Sequence, residues 1–88
     1  MIKKELIIKN KTGLHARPAA LLVKTTGKFK SEIFISKDGY KVNGKSIMGV
    51  MTLAAEAGSV IEISVDGPDE KEAVIALEDL INNKFFED

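Results

Sequence analysis

Two stretches of the chain, SEIFISK at Ser31–Lys37 and VIEISVD at Val60–Asp66, alternate in polarity from residue to residue. Ile33 and Ile35 fall on one face of the first, with Glu32, Phe34 and Ser36 on the other. Ile61, Ile63 and Val65 alternate against Glu62 and Ser64 in the second. Side chains of a strand point in turn to opposite sides of its sheet. Strands of this kind therefore have one buried and one wet face, so helices elsewhere in the chain must cover a single side of a largely antiparallel sheet.

The rest of the chain supplies those helices and two further strands. Ile2 to Lys9 reads as a strand and Asn10-Lys11-Thr12-Gly13 as a turn. A helix follows, with Pro18 in its first turn, where a missing N–H does no harm. The residue before a proline resists helical torsions, which places Arg17 at the cap or just inside it. On either placement His15 lies at the N-terminal edge. Ala19, Leu22, Val23 and Thr26 follow helical spacing toward the core, and Gly27 is expected as the C′ residue. Asp38-Gly39 is a hairpin turn, and Tyr40 to Val42 the returning strand. Ser46 caps a short helix from Ile47 to Leu53 or Ala54. Gly67-Pro68 ends the last strand, and Asp69 with Glu72 has the spacing of a capping box. Ala73, Val74, Ala76, Leu77, Leu80 and Ile81 form the apolar side of the last helix, and Phe85 and Phe86 pin it or fray with the tail. The order is β-α-β-β-α-β-α: an α+β open-faced sandwich, expected as one domain over residues 1–88 with no repeat or linker.

Size and charge exclude several functions. A chain of 88 residues buries only about 60–65% of its unfolded surface, too thin a core for a large nucleotide-binding domain. Thirteen basic residues balance thirteen acidic ones, which argues against general binding to nucleic acid or an anionic membrane. With no cysteine and a single histidine, neither a disulfide framework nor a closed metal shell is expected. The first apolar run is broken by Lys3, Lys4 and Glu5, so neither a signal peptide nor membrane insertion is expected, and a cytoplasmic location follows as the default.

Two segments compete as a phosphate site. GYKVNGKS, Gly39 to Ser46, fits the pattern of a P-loop. Its first glycine belongs to a hairpin turn, however, and Tyr40 and Val42 are strand formers. No long helix or second acidic strand follows, so the segment reads as two turns around a short strand. TGLHARPAA, Thr12 to Ala20, has a stronger claim. Gly13 permits a tight turn that exposes the His15 ring. The helix start supplies unpaired N–H groups and partial positive charge, which attract an anion and keep the imidazole neutral. A neutral ring nitrogen is a nucleophile. Arg17 can present a guanidinium fork to phosphate oxygens. No carboxylate is evident beside His15, and none is needed, because the attacking nitrogen has no proton to lose. Together these residues describe a phosphorylatable histidine.

TGLHARPAA and NGKSIMGVMTL, with their spacing and the chain length, resemble the HPr family, the histidine-containing phosphocarriers of the bacterial phosphoenolpyruvate-dependent sugar phosphotransferase system. The resemblance spans essentially the whole chain. It implies a four-stranded antiparallel sheet with three helices on one face. It also implies that His15 accepts a phosphoryl group at Nδ1 from phosphorylated enzyme I and hands it to sugar-specific EIIA components. The protein would then be a carrier with no cofactor rather than an enzyme, and Arg17 would accompany the histidine. Ser46 matches a serine that HPr kinase/phosphorylase modifies in many Gram-positive-type members, whose phosphoserine form partners the catabolite control protein. Ala54 stands where glycine is frequent, and Thr52 where serine is.

A carrier needs a modest apolar patch around the reactive atom, and Ala20, Ile47, Met48 and Met51 are its candidates, since methionine adapts to differing surfaces. Lys24, Lys28 and Lys45 are candidates for steering acidic partners. Two other classes compete: a purely regulatory HPr-like module acting through Ser46, and a small nucleic-acid or nucleotide binder. His15 with Arg17 speaks against the first. Zero net charge and the lack of an exposed aromatic platform speak against direct nucleic-acid binding. A monomer suffices for the expected role.

Overall fold

A computed structural model describes residues 1–86. The elements are β1 (Ile2–Ile7), α1 (Ala16–Thr26), β2 (Glu32–Lys37), β3 (Tyr40–Asn43), α2 (Ile47–Thr52), β4 (Val60–Asp66) and α3 (Glu70–Asn82), with a short turn at Lys84–Phe86. The strands form one sheet in the order β1-β4-β2-β3, antiparallel throughout. This is the expected open-faced sandwich.

The alternating residues set the register. Leu6 faces Ile61 across β1 and β4, and Ile33 and Ile35 face Val65 and Ile63 across β2 and β4. These side chains are buried beneath the helices. Ala19 and Leu22 of α1, Val50 of α2, and Ala73, Leu77 and Ile81 of α3 close the core from above. Lys4 also points to the helical side, and its ammonium pairs with Glu78 of α3. Asp38 and Gly39 both have positive φ, 52° and 82°, as the hairpin turn demands.

Three local expectations need correction, and one left open is decided. β1 ends at Ile7; Ile8 instead exchanges hydrogen bonds with the loop before β4, donating to Ser59 at 2.9 Å and accepting from Gly58 at 2.7 Å. Of the two placements of Arg17 the structure takes the one just inside the cap: the helix starts at Ala16, His15 is the N-cap, and Pro18 lies in the first turn. Gly27 is not a left-handed C′ residue. It is the C-cap, with right-handed torsions (φ −63°), and the chain leaves α1 through tighter turns in which Lys28 and Phe29 donate to Thr25 and Thr26. Asp69 and Glu72 form no capping box, because Asp69 makes no side-chain cap bond. Its carboxylate accepts the backbone N–H groups of Lys30 at 2.8 Å and Ser31 at 2.9 Å, and the Ser31 hydroxyl. Gly67 permits this junction, since a Cβ there would lie 2.6 Å from the Ser31 Cα. Glu70 does the local work, accepting the Gly67 N–H at 3.1 Å. At the far end of α3, Phe85 is buried and Phe86 exposed, so the pinning falls to Phe85.

The Asp69 junction has a pH signature. The Ser31 hydroxyl, then the backbone donors, hold its carboxyl down at about 2, from an ordinary value of 3.8. A depressed carboxyl contributes stability that is present above the unfolded value and is lost as pH falls through the folded one. Urea midpoints should therefore fall as pH drops from about 4 toward 2. Asp69→Asn should be less stable than the parent at pH 7 and should lose less on acidification; parallel curves for the two proteins would remove Asp69 from the account.

Candidate functional site

The loop before α1 is built to present one side chain. Gly13 has φ +70°, and a Cβ there would sit 2.4 Å from the Ala55 carbonyl oxygen, so no other residue permits this approach. The Gly13 N–H donates to Asn10 at 3.2 Å, and the buried Asn10 side-chain amide donates back to the Gly13 carbonyl at 2.9 Å. Leu14 is buried, and its N–H donates to the Ala55 carbonyl at 2.8 Å. His15 then emerges exposed at the N-cap of α1. Its backbone is extended and its ring makes no cap bond, so the imidazole is left for other work.

The free donors at this helix end are few. The Ala19 N–H already bonds the His15 carbonyl at 2.9 Å, and Pro18 has none. Among the described residues, the Ala16 and Arg17 N–H groups remain, together with the partial positive charge of the helix terminus.

The Leu14–Ala55 bond brings α2 alongside. His15 borders an open depression with Thr12, Leu14, Met51, Ala54, Ala55 and Glu56. The two conspicuous sequence segments therefore meet, with Met51 and His15 lining the same depression. Glu56 lines the same depression, so a carboxylate shares the surface around His15. Nothing in the local sequence signalled it, since only the tertiary hydrogen bond at Ala55 puts it there. Arg17 is exposed and lines an adjoining depression with Lys11, Pro18, Leu21, Phe85 and Phe86; Thr12 is the wall shared by the two. Lys11 had no signal beyond its place in a turn.

Ser46 lies at the other end of the helix pair. It is the N-cap of α2, its Oγ accepting the Gly49 N–H at 3.0 Å, as its position before the helix foretold. The turn before it is fastened to the exit of α1. The buried Thr26 hydroxyl donates to the Gly44 carbonyl at 2.8 Å, and Lys45 Nζ to the Phe29 carbonyl at 2.7 Å. That bond commits Lys45 to the fold and away from steering, and away from any P-loop role. Lys24 and Lys28 are exposed, as are Ala20, Ile47 and Met48. Among the described residues, no group of His, Cys, Asp and Glu has the arrangement to hold a metal ion.

Residues 2–83 match the family described as "PTS HPr component phosphorylation site". The chain belongs to the HPr family. It is 53% identical over 88 residues to the phosphocarrier protein HPr of Xylella fastidiosa strain 9a5c, covering 100% of this chain and 99% of that one. It is 57% identical over 77 residues to the HPr-like protein Crh of Halalkalibacterium halodurans, covering 88% and 92% of the two chains. The crystal structure of HPr-C-His from Thermoanaerobacter tengcongensis superposes with a TM-score of 0.96 at 56% identity, covering 100% of this chain and 99% of that one. HPr proteins are phosphocarriers rather than catalysts.

Ala54, at the end of α2, has φ +50°. Left-handed torsions cost a residue with a Cβ about 1–2 kcal/mol, and the extra unfolded-state freedom of glycine offsets about 0.4–1 kcal/mol of any gain. Ala54→Gly should therefore stabilise the chain by about 0.5–1 kcal/mol in urea unfolding. An unchanged or lower midpoint would mean that the α2 exit is not strained.

Proposed function

We propose that this chain carries phosphoryl groups on His15 within the phosphoenolpyruvate-dependent sugar phosphotransferase system, in the cytoplasm. His15 accepts the group from phosphorylated enzyme I and passes it to EIIA components. The observation that carries this reading is the exposed imidazole at the N-cap of an 11-residue helix, free of any cap bond and beside unpaired N–H donors. The match to a family defined by its phosphorylation site supports it.

In the forward step a neutral ring nitrogen, Nδ1, attacks phosphorus in line with the bond to the donor. The nitrogen–phosphorus bond forms as the donor bond breaks, and no proton leaves the attacking atom. The work left to the protein is positioning and charge stabilisation. The Ala16 and Arg17 N–H groups and the helix terminus face the phosphoryl oxygens, and the Arg17 guanidinium swings across the Thr12 wall to meet them. The step is reversible because the phosphoryl group remains at an open surface, where an acceptor histidine reaches it.

Docking falls to the exposed apolar patch of Ala20, Ile47, Met48 and Met51, with Lys24 at its edge. Ser46 is the regulatory position. HPr kinase/phosphorylase adds a phosphate carrying about −1.5 to −2 charges at neutral pH, and the catabolite control protein recognises that form. Ser46 and His15 lie at opposite ends of the strapped helix pair. Phosphoserine there acts on the partners that dock across the pair.

Incubation with phosphoenolpyruvate and enzyme I, followed by intact mass, should add one acid-labile phosphate to the parent and none to His15→Ala. Labelling of His15→Ala would end this reading. Arg17→Ala should slow transfer about ten- to a hundredfold, the worth of hydrogen bonds to a charged group. Ser46→Asp should slow uptake from enzyme I while leaving the circular dichroism spectrum unchanged; an equal rate in low salt would remove Ser46 from control of docking.

A further inference from the structure

We propose that Met48 and Met51 form a reversible oxidation site, at which conversion to sulfoxides weakens docking without disturbing the fold. This inference rests on the carrier function proposed above, since that function makes their surface a docking face. Methionine commonly fills gaps in protein cores. This chain has three methionines and none is in the core: Met1, Met48 and Met51 are 67%, 76% and 38% exposed. Met48 and Met51 are three residues apart on α2, the spacing of neighbours on one helix face. Val50 is the buried residue of that helix, so its solvent-facing side is free to change. Met51 also walls the His15 depression. The chain has no cysteine, so no thiolate competes for a two-electron oxidant.

Hydrogen peroxide supplies the chemistry. The thioether sulfur donates an electron pair to one peroxide oxygen, and the O–O bond breaks. The departing hydroxide takes the proton of the transferred oxygen and leaves as water. Sulfur is oxidised to the sulfoxide and peroxide is reduced, with one oxygen atom passed. The product is polar where the thioether was apolar, and methionine sulfoxide reductases reverse the step. In the free protein the new oxygen points to water and costs little. Against an apolar partner surface it must lose that water without a replacement, at a cost that slows productive docking about tenfold or more. Met48, the more exposed, should oxidise first. Met51, next to His15, should account for more of the loss.

The test oxidises the parent and a Met48→Leu/Met51→Leu double variant with hydrogen peroxide and maps the sulfoxides by peptide mass. Each protein's oxidised transfer rate from enzyme I is divided by its own reduced rate, so the basal rate of the variant does not enter. The parent should lose about tenfold or more, with its melting temperature shifted by less than about 2 °C. Methionine sulfoxide reductases A and B should restore the rate. The double variant, oxidised only at Met1, should keep a ratio near one. An unchanged rate in the oxidised parent overturns the inference, as does an equal loss in the variant or a fall in melting temperature that tracks the loss of rate. If the reduced parent takes no phosphate from enzyme I, the carrier function itself fails and the inference falls with it; that outcome is distinct, because it appears before any peroxide is added.

Discussion

The site depends on one backbone contact. Gly13 lies so close to the Ala55 carbonyl that a single added carbon would collide with it at 2.4 Å, and the next residue donates its N–H to that same carbonyl. This contact joins the loop that presents His15 to the exit of α2. Thirteen positions beyond Gly13 along the chain, Thr26 and then Lys45 make the matching fastenings between the exit of α1 and the entry of α2. The two helices are thus strapped at both ends, and the strapping places His15 and Ser46 at opposite ends of one surface. Met48 and Met51 occupy the ground between them.

Stability and chemistry are kept on separate residues. The core is made of aliphatic side chains and Phe85 between sheet and helices, and His15, Arg17, Met48 and Met51 are exposed. Asp69 and Asn10 are polar yet structural: Asp69 holds the backbone N–H groups that lead into β2, and Asn10 holds the Gly13 carbonyl in the loop that presents His15. A small domain has little stability to spare. Placing His15 at an exposed helix cap avoids burying a titratable group, and placing the exposed Ile47, Met48 and Met51 on α2, which buries only Val50, leaves the core unaffected by what happens at that surface.

Much of this arrangement was legible in the sequence wherever the signal was local or periodic. Alternation in SEIFISK and VIEISVD foretold the one-sided sheet, Asp38-Gly39 its hairpin, and Ser46 the cap of α2. His15 was legible as a helix edge because Gly13 and Pro18 bracket it. Most of the failures share a cause. The Asp69–Glu72 spacing is a true local signal, yet Asp69 was claimed by donors at Lys30 and Ser31, which the pairing of β2 with β4 brings close. Glu56 and Lys45 likewise owe their positions to the strapping of α1 to α2, and no window of neighbouring residues contains that information. Gly27 was expected to turn left-handed because glycine can; the chain instead continued in tighter right-handed turns, held by bonds to Thr25 and Thr26.

The contrast between the two glycine-containing segments bears on how a carrier differs from a nucleotide-binding loop. A P-loop gathers successive backbone N–H groups into a nest and grips its phosphates. At the start of α1 the donor set is thinned: Pro18 contributes no N–H, and the Ala19 N–H is already taken by the His15 carbonyl. On the proposed reading, two backbone donors and a mobile guanidinium suffice to orient a phosphoryl group, while a fuller nest would hold it against transfer. Proline in this first turn thus does more than tolerate the helix: it limits the grip at the point where release matters as much as capture.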